Sequence, residues 1–189
     1  MTADRHDRRA FFRQFLRRVV EPAVELAEKV LPFPPHRAFL RPPGALAERA
    51  FLDTCYRCGN CADVCPAQAI FSFRGADEEL RGTPFIDPGQ QPCLVCDGLQ
   101  CMHACPSGAL RPVPLEQIRM GLAQVNEQTC VRSQGEDCRK CVEICPLGEK
   151  AIRLDADGWV EVLAHGCIGC GICQRACPTS PAAIAVRPF

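Results

Sequence analysis

Cys55-Tyr56-Arg57-Cys58-Gly59-Asn60-Cys61-Ala62-Asp63-Val64-Cys65-Pro66 packs four cysteines into one short window and closes on Cys-Pro. Near the other end, Cys167-Ile168-Gly169-Cys170-Gly171-Ile172-Cys173-Gln174-Arg175-Ala176-Cys177-Pro178 repeats that spacing residue for residue. Between the two lie looser versions: Cys93, Cys96, Cys101 and Cys105 widen the second gap, and Cys130, Cys138, Cys141 and Cys145 widen the first. Each run ends in Cys-Pro, and together the four runs use all 16 cysteines of the 189-residue chain.

The spacing CxxCxxCxxxCP is that of bacterial ferredoxin cluster loops, and its chemistry follows from sulfur. A 4Fe-4S cube needs a thiolate at each iron corner. Three closely spaced cysteines wrap three corners, and the cysteine before proline reaches across to the neighbouring cluster. Proline after that cysteine fixes φ and removes a donor where the chain leaves the loop. Gly59, Gly169 and Gly171 are expected to let backbone amides approach the inorganic sulfides. The sequence therefore implies four 4Fe-4S clusters held by all sixteen cysteines.

Competing uses of cysteine fit less well. Structural zinc pairs two CxxC knuckles across a long loop, whereas here four cysteines share one window. Disulfide scaffolds are typically small and secreted, and do not account for four copies of Cys-Pro. The CxxxCxxC order used for radical chemistry on S-adenosylmethionine is absent. With every cysteine consumed as a ligand, no iron corner is left for substrate, so an electron carrier is expected rather than an enzyme. His6, His36, His103 and His165 are scattered, and His103 and His165, although near ligands, are expected to face solvent.

Composition agrees. Twenty-two basic and 22 acidic residues cancel, so nothing steers the chain toward nucleic acid. One Trp and one Tyr, beside 17 Pro and 14 Gly, describe a loop-rich protein whose metal centres complete its core. After each Cys-Pro comes a short stretch ending in Ala plus an aliphatic residue: Ala69-Ile70, Ala109-Leu110, Ala151-Ile152 and Ala183-Ile184. Each unit thus reads as a cluster loop, a short helix and a strand. Asp155-Ala156-Asp157-Gly158 predicts a hairpin joining 151–154 to 159–163. The fold class expected is α+β, with two ferredoxin-like domains of the two-cluster type preceded by an N-terminal amphipathic helix.

That helix is expected over residues 8–31. Phe11, Phe12, Phe15, Leu16, Val19, Val20, Val24, Ala27, Val30 and Leu31 share one broad face, and six arginines lie in the first 18 residues. Pro22 breaks it near Glu21, and Pro32, Pro34 and Pro35 end it. Such a segment suits docking to a partner subunit or a membrane edge. Arg8-Arg9-Ala10-Phe11-Phe12 opens like a twin-arginine export signal, but Arg13, Arg17, Arg18, Glu21, Glu25, Glu28 and Lys29 interrupt the apolar region such a signal needs. A cytoplasmic location, peripheral to the inner membrane, is the expectation, with the periplasm as the alternative.

From Arg41 onward the chain resembles the NapG/MauM-type polyferredoxins. The resemblance rests on Arg41-Pro42-Pro43-Gly44-Ala45, Gly82-Thr83-Pro84-Phe85, Cys105-Pro106-Ser107-Gly108-Ala109-Leu110, Arg119-Met120-Gly121-Leu122-Ala123, the wide third run and Pro181-Ala182-Ala183-Ile184. It implies electron relay from a membrane quinol-oxidising partner toward a redox enzyme. The alternatives are an iron–sulfur assembly factor for a molybdoenzyme, or an electron-transfer subunit like those of dimethylsulfoxide reductase and formate dehydrogenase.

The runs can pair sequentially or nested. Similarity to the reductase and dehydrogenase subunits suggests nesting, with the two regular runs sharing a domain. Cys55, Cys58, Cys61 and Cys177 would then hold one cube, and Cys167, Cys170, Cys173 and Cys65 its neighbour. Cys93, Cys96, Cys101 and Cys145 would hold the third, and Cys130, Cys138, Cys141 and Cys105 the fourth. The implied layout is a helical segment at 1–35, a linker at 36–50, one domain from 51–75 with 160–189, and another from 76–159.

Overall fold

The computed structural model describes residues 39–189, which belong to one compact unit beginning at Ala38. The amphipathic helix expected at 8–31 lies outside the described residues. Helix and strand are mixed and short. α1 (Glu48–Thr54) precedes the first run. One-turn helices then carry the third cysteine of every run: α2 (Asn60–Asp63), α3 (Gln100–His103), α4 (Lys140–Glu143) and α5 (Ile172–Ala176). Each stops within two residues of the next Cys-Pro, where proline cannot continue it.

Among the described residues six strands form three antiparallel pairs. β1 (Ile70–Ser72) pairs with β2 (Pro84–Ile86), β3 (Gly121–Val125) with β6 (Ile184–Pro188), and β4 (Ile152–Leu154) with β5 (Val160–Val162). The β4–β5 hairpin is the one the Asp157-Gly158 turn predicts, with Gly158 at φ 82° and Leu154 opposite Val160. The Ala-aliphatic repeat is the core of each unit. Ala69, Ala109, Ala151 and Ala183 are each at most 3% exposed, and Ile70, Leu110, Ile152 and Ile184 are buried beside them. Alanine there lets the strand lie close against the turn that follows Cys-Pro.

Strand pairing corrects the nested arrangement and its domain boundaries. β1 follows Cys65 and pairs with β2, which precedes Cys93. Ala109-Leu110 follows Cys105, and Leu110 bridges to Ala45, just ahead of α1 and Cys55. β4 follows Cys145, and the hairpin returns the chain to Cys167. β6 follows Cys177 and pairs with β3, which leads into Cys130. The strand after each Cys-Pro therefore carries that cysteine to its sequence-adjacent run. The halves are runs one with two and runs three with four, not 51–75 with 160–189 around 76–159.

Residues 39–50, expected to be linker, are packed. The Leu40 carbonyl accepts a hydrogen bond from Ile86 N–H at 2.7 Å, extending the β1–β2 pair, and Pro42 and Pro43 are fully buried. Arg41, 6% exposed, donates to Thr83 Oγ1 (3.0 Å), the Pro84 carbonyl (2.8 Å) and Glu48 Oε2 (2.9 Å), and stacks over the Phe51 ring at 4.7 Å. The Arg-Pro-Pro-Gly and Gly-Thr-Pro-Phe segments thus meet through one guanidinium. Arg41→Met should lower holoprotein stability by about 2–4 kcal/mol, because Thr83, Pro84 and Glu48 lose a shared donor. Arg41→Lys should recover less than half, since an ammonium cannot span the same partners. A thermal midpoint unchanged in Arg41→Met would refute this role.

The two halves meet along a backbone seam. Cys93 N–H donates to the Cys170 carbonyl at 3.0 Å, and Met120 N–H to the Ile168 carbonyl at 3.1 Å. Gly169, at φ 77°, lies so close that a Cβ would fall on the Gly121 backbone, and a Cβ on Gly171 would meet Pro88 Cβ at 2.5 Å. Gly171, expected to admit amides toward sulfide, thus also lets the second half approach Pro88 of the first, and Gly169 lets its loop lie against β3 of its own half. Among the described residues no helix is long and apolar enough to cross a membrane.

Candidate iron–sulfur sites

Each half presents two cysteine quartets. Quartet A is Cys55, Cys58, Cys61 and Cys105, and quartet B is Cys65, Cys93, Cys96 and Cys101; each lines its own void. Quartet C is Cys145, Cys167, Cys170 and Cys173, and quartet D is Cys130, Cys138, Cys141 and Cys177. Every quartet takes three cysteines from one run and the Cys-Pro cysteine of its neighbour. Cys177 is therefore away from quartet A, Cys65 away from C, Cys145 away from B and Cys105 away from D, which corrects all four nested sets in the fourth ligand. The four voids are similar in size.

All sixteen cysteines are unpaired. Among the described residues no three His, Cys, Asp or Glu side chains close on one point as a single ion needs. Burial pushes the Cys61, Cys93 and Cys141 thiols up to about 11 and those of Cys101, Cys170 and Cys173 up to about 12, with neighbouring sulfurs adding to it. Such thiols keep their protons at neutral pH unless cations replace them. Bound iron would supply that charge, and its binding would release the protons.

The Cys-Pro cysteines of runs two and four behave differently. Burial raises the Cys105 thiol, but hydrogen bonds from Ser107 and from the backbone outweigh it, and the net direction is downward. Cys177 is lowered in the same way by Thr179 and the backbone. The sequence reading passed over both hydroxyls. Their signal was present as Ser or Thr two residues after the cysteine. His103 and His165 are exposed, in line with expectation.

The quartets lie in the order A, B, C, D. Cys101 of B senses charge on Cys61 of A, Cys170 of C senses Cys93 of B, and Cys173 of C senses Cys141 of D. B and C flank the seam where Cys93 N–H meets the Cys170 carbonyl. A and D are terminal.

Comparison with known proteins agrees with this halving. Two models of a 4Fe-4S dicluster domain match residues 54–109 and 123–186. The methylamine utilization ferredoxin-type protein MauM of Methylobacillus flagellatus is 38% identical, across 99% of this chain and 86% of its own. The chain belongs to the MauM/NapG family of ferredoxin-type proteins. MauM of Paracoccus denitrificans is 40% identical, over 79% of this chain and 71% of its own. NapG of Escherichia coli is 36% identical over the same shares. Like the rest of the MauM/NapG family, the chain is a ferredoxin-type electron-transfer protein with 4Fe-4S domains.

Proposed function

We propose that quartets A to D hold four 4Fe-4S clusters and that the protein relays electrons between a redox donor and a partner oxidoreductase. When bound, such clusters supply reversible one-electron transfer. The chain's own part is to fix their order. The observation that carries the reading is the Cys93–Cys170 apposition, which sets B and C side by side and turns two dicluster halves into one continuous row. Quartets A and D then become the ends at which partners exchange electrons. Cys58 of A is exposed beside Tyr56 and Arg57, as an exchange site at the surface needs.

Anaerobic affinity isolation of the full chain identifies the partners, and stopped-flow mixing tests the relay. Dithionite-reduced protein should be reoxidised by its oxidoreductase partner within that enzyme's turnover time. Cys93→Ser/Cys96→Ser, which removes an inner site, should slow transfer at least tenfold. A partner that binds but never reoxidises the protein would instead identify an assembly factor. Equal rates with and without quartet B would overturn the row as the route.

A further inference from the structure

We propose that Ser107 and Thr179 raise the reduction potentials of the two terminal sites, A and D, above what their cysteines alone would set. The inference rests on the assignment of clusters to the quartets and goes beyond it by assigning two residues that tune them.

The geometry defines the direction of each hydrogen bond. Ala109 N–H donates to Ser107 Oγ at 3.3 Å, and that oxygen lies 3.5 Å from Cys105 Sγ. Ala183 N–H donates to Thr179 Oγ1 at 2.7 Å, and that oxygen lies 3.2 Å from Cys177 Sγ. A ligating thiolate has no proton, so the hydroxyl is the donor in each contact. Because each oxygen already accepts an amide N–H, its own proton is directed at sulfur, and the backbone donor polarises it. Cys105 Sγ receives a further donor, Leu110 N–H, at 3.4 Å.

The inner sites have no such hydroxyl. Ala67 and Leu147 occupy the position two after Cys65 and Cys145. At Cys65 the corresponding amide, Ala69 N–H, bonds the sulfur directly at 3.4 Å. Runs two and four have therefore inserted a hydroxyl between the alanine amide and the thiolate. Both insertions fall on the terminal quartets. Uptake of one electron adds one negative charge to a site, spread partly onto its thiolates, and a hydrogen-bond donor at the sulfur stabilises that charged form. Electrons delivered by a partner are then held at A and D more strongly than the cysteines of A and D alone would hold them.

The test is a mediated, EPR-monitored redox titration of the anaerobically reconstituted full chain, with iron counted in each sample. The steps of A and D are identified by their disappearance in Cys58→Ala/Cys105→Ala and in Cys138→Ala/Cys177→Ala. Ser107→Ala and Thr179→Val should each lower their own step by an amount equivalent to about a tenfold change in the reduction equilibrium, ~59 mV for a one-electron couple. Ser107→Thr and Thr179→Ser should leave it in place. Ala67→Ser, which offers quartet B a hydroxyl, should raise the B step. If iron is complete and the A and D steps do not move, the inference is overturned. Should both hydroxyl-removing variants lose iron, Ala67→Ser decides, and an unmoved B step overturns the inference. Failure of the underlying assignment is distinguishable, because the unaltered protein would then lack the iron and the EPR signals altogether.

Discussion

Cys58→Ala/Cys105→Ala should lose about four irons per chain, the content of one cube, and no more than Cys58→Ala alone. Cys58→Ala/Cys177→Ala should lose about eight, because its two positions fall in different quartets. The contrast follows from where the fourth ligand is carried. The Leu110–Ala45 bridge returns Cys105 to the first run, whereas the β3–β6 pair carries Cys177 to the third. A single cysteine already costs a cube one corner, so removing a second cysteine of the same quartet adds little, while removing one from another quartet adds a second loss. Iron and acid-labile sulfide counted on anaerobically reconstituted variants, beside Mössbauer spectra, measure this directly. Equal iron in the two double variants would refute the quartets.

Removing the iron should abolish the fold of the described core. The cluster of buried residues in the second half consists of Ala123, Ile152, Val160, Cys173 and Ile184, and one of these five, Cys173, belongs to quartet C. In the larger buried cluster, which spans both halves, Cys61, Cys93, Cys101 and Cys170 belong to the buried set. The helices inside the runs are one turn long and most strands have three residues, so local hydrogen bonding cannot compensate. Without metal, each quartet is a void lined by at least one thiol that burial keeps protonated: Cys61 in A, Cys93 and Cys101 in B, Cys170 and Cys173 in C, and Cys141 in D. The metal-binding free energy is therefore most of the folding free energy, as in small metal-dependent domains. Chelation under anaerobic, reducing conditions should eliminate the cooperative thermal transition and leave amide exchange near the unprotected rate. A sharp transition persisting in iron-free protein would refute the claim.

Much of this was legible from residues alone because the information is local. The CxxCxxCxxxCP spacing sets which cysteines can share one loop, and the structure keeps three from each run together in every quartet. The Asp157-Gly158 turn is a two-residue signal, and the hairpin stands where it predicts. The Ala-aliphatic repeat marks core because only a small residue followed by a branched one fits behind each cluster loop.

The errors were errors of distance. Nested and sequential pairing use the same cysteines with the same spacing, and what separates them is whether Val125 pairs with Ile184 and Ile70 with Ile86. Short strands with similar alternation do not encode a partner in their own residues. Residues 39–50 read as linker because Pro42, Pro43 and Gly44 punctuate the chain. Arg41 is buried there only because Thr83 and Pro84 come back to meet it. The hydroxyls of Ser107 and Thr179 were visible as residues but not as donors, since their meaning depends on the turn that aims them at sulfur.

The chain's own residues determined the chemistry: sixteen thiols in four windows define the kind of cofactor and its number of corners, because ligand spacing along a chain is a covalent constraint. The tertiary structure decided the grouping of the fourth cysteines into quartets and the order A, B, C, D. Those depend on hydrogen bonds between strands dozens of residues apart and on a seam where Cys93 N–H meets the Cys170 carbonyl, and each such contact exists only once both segments are in place.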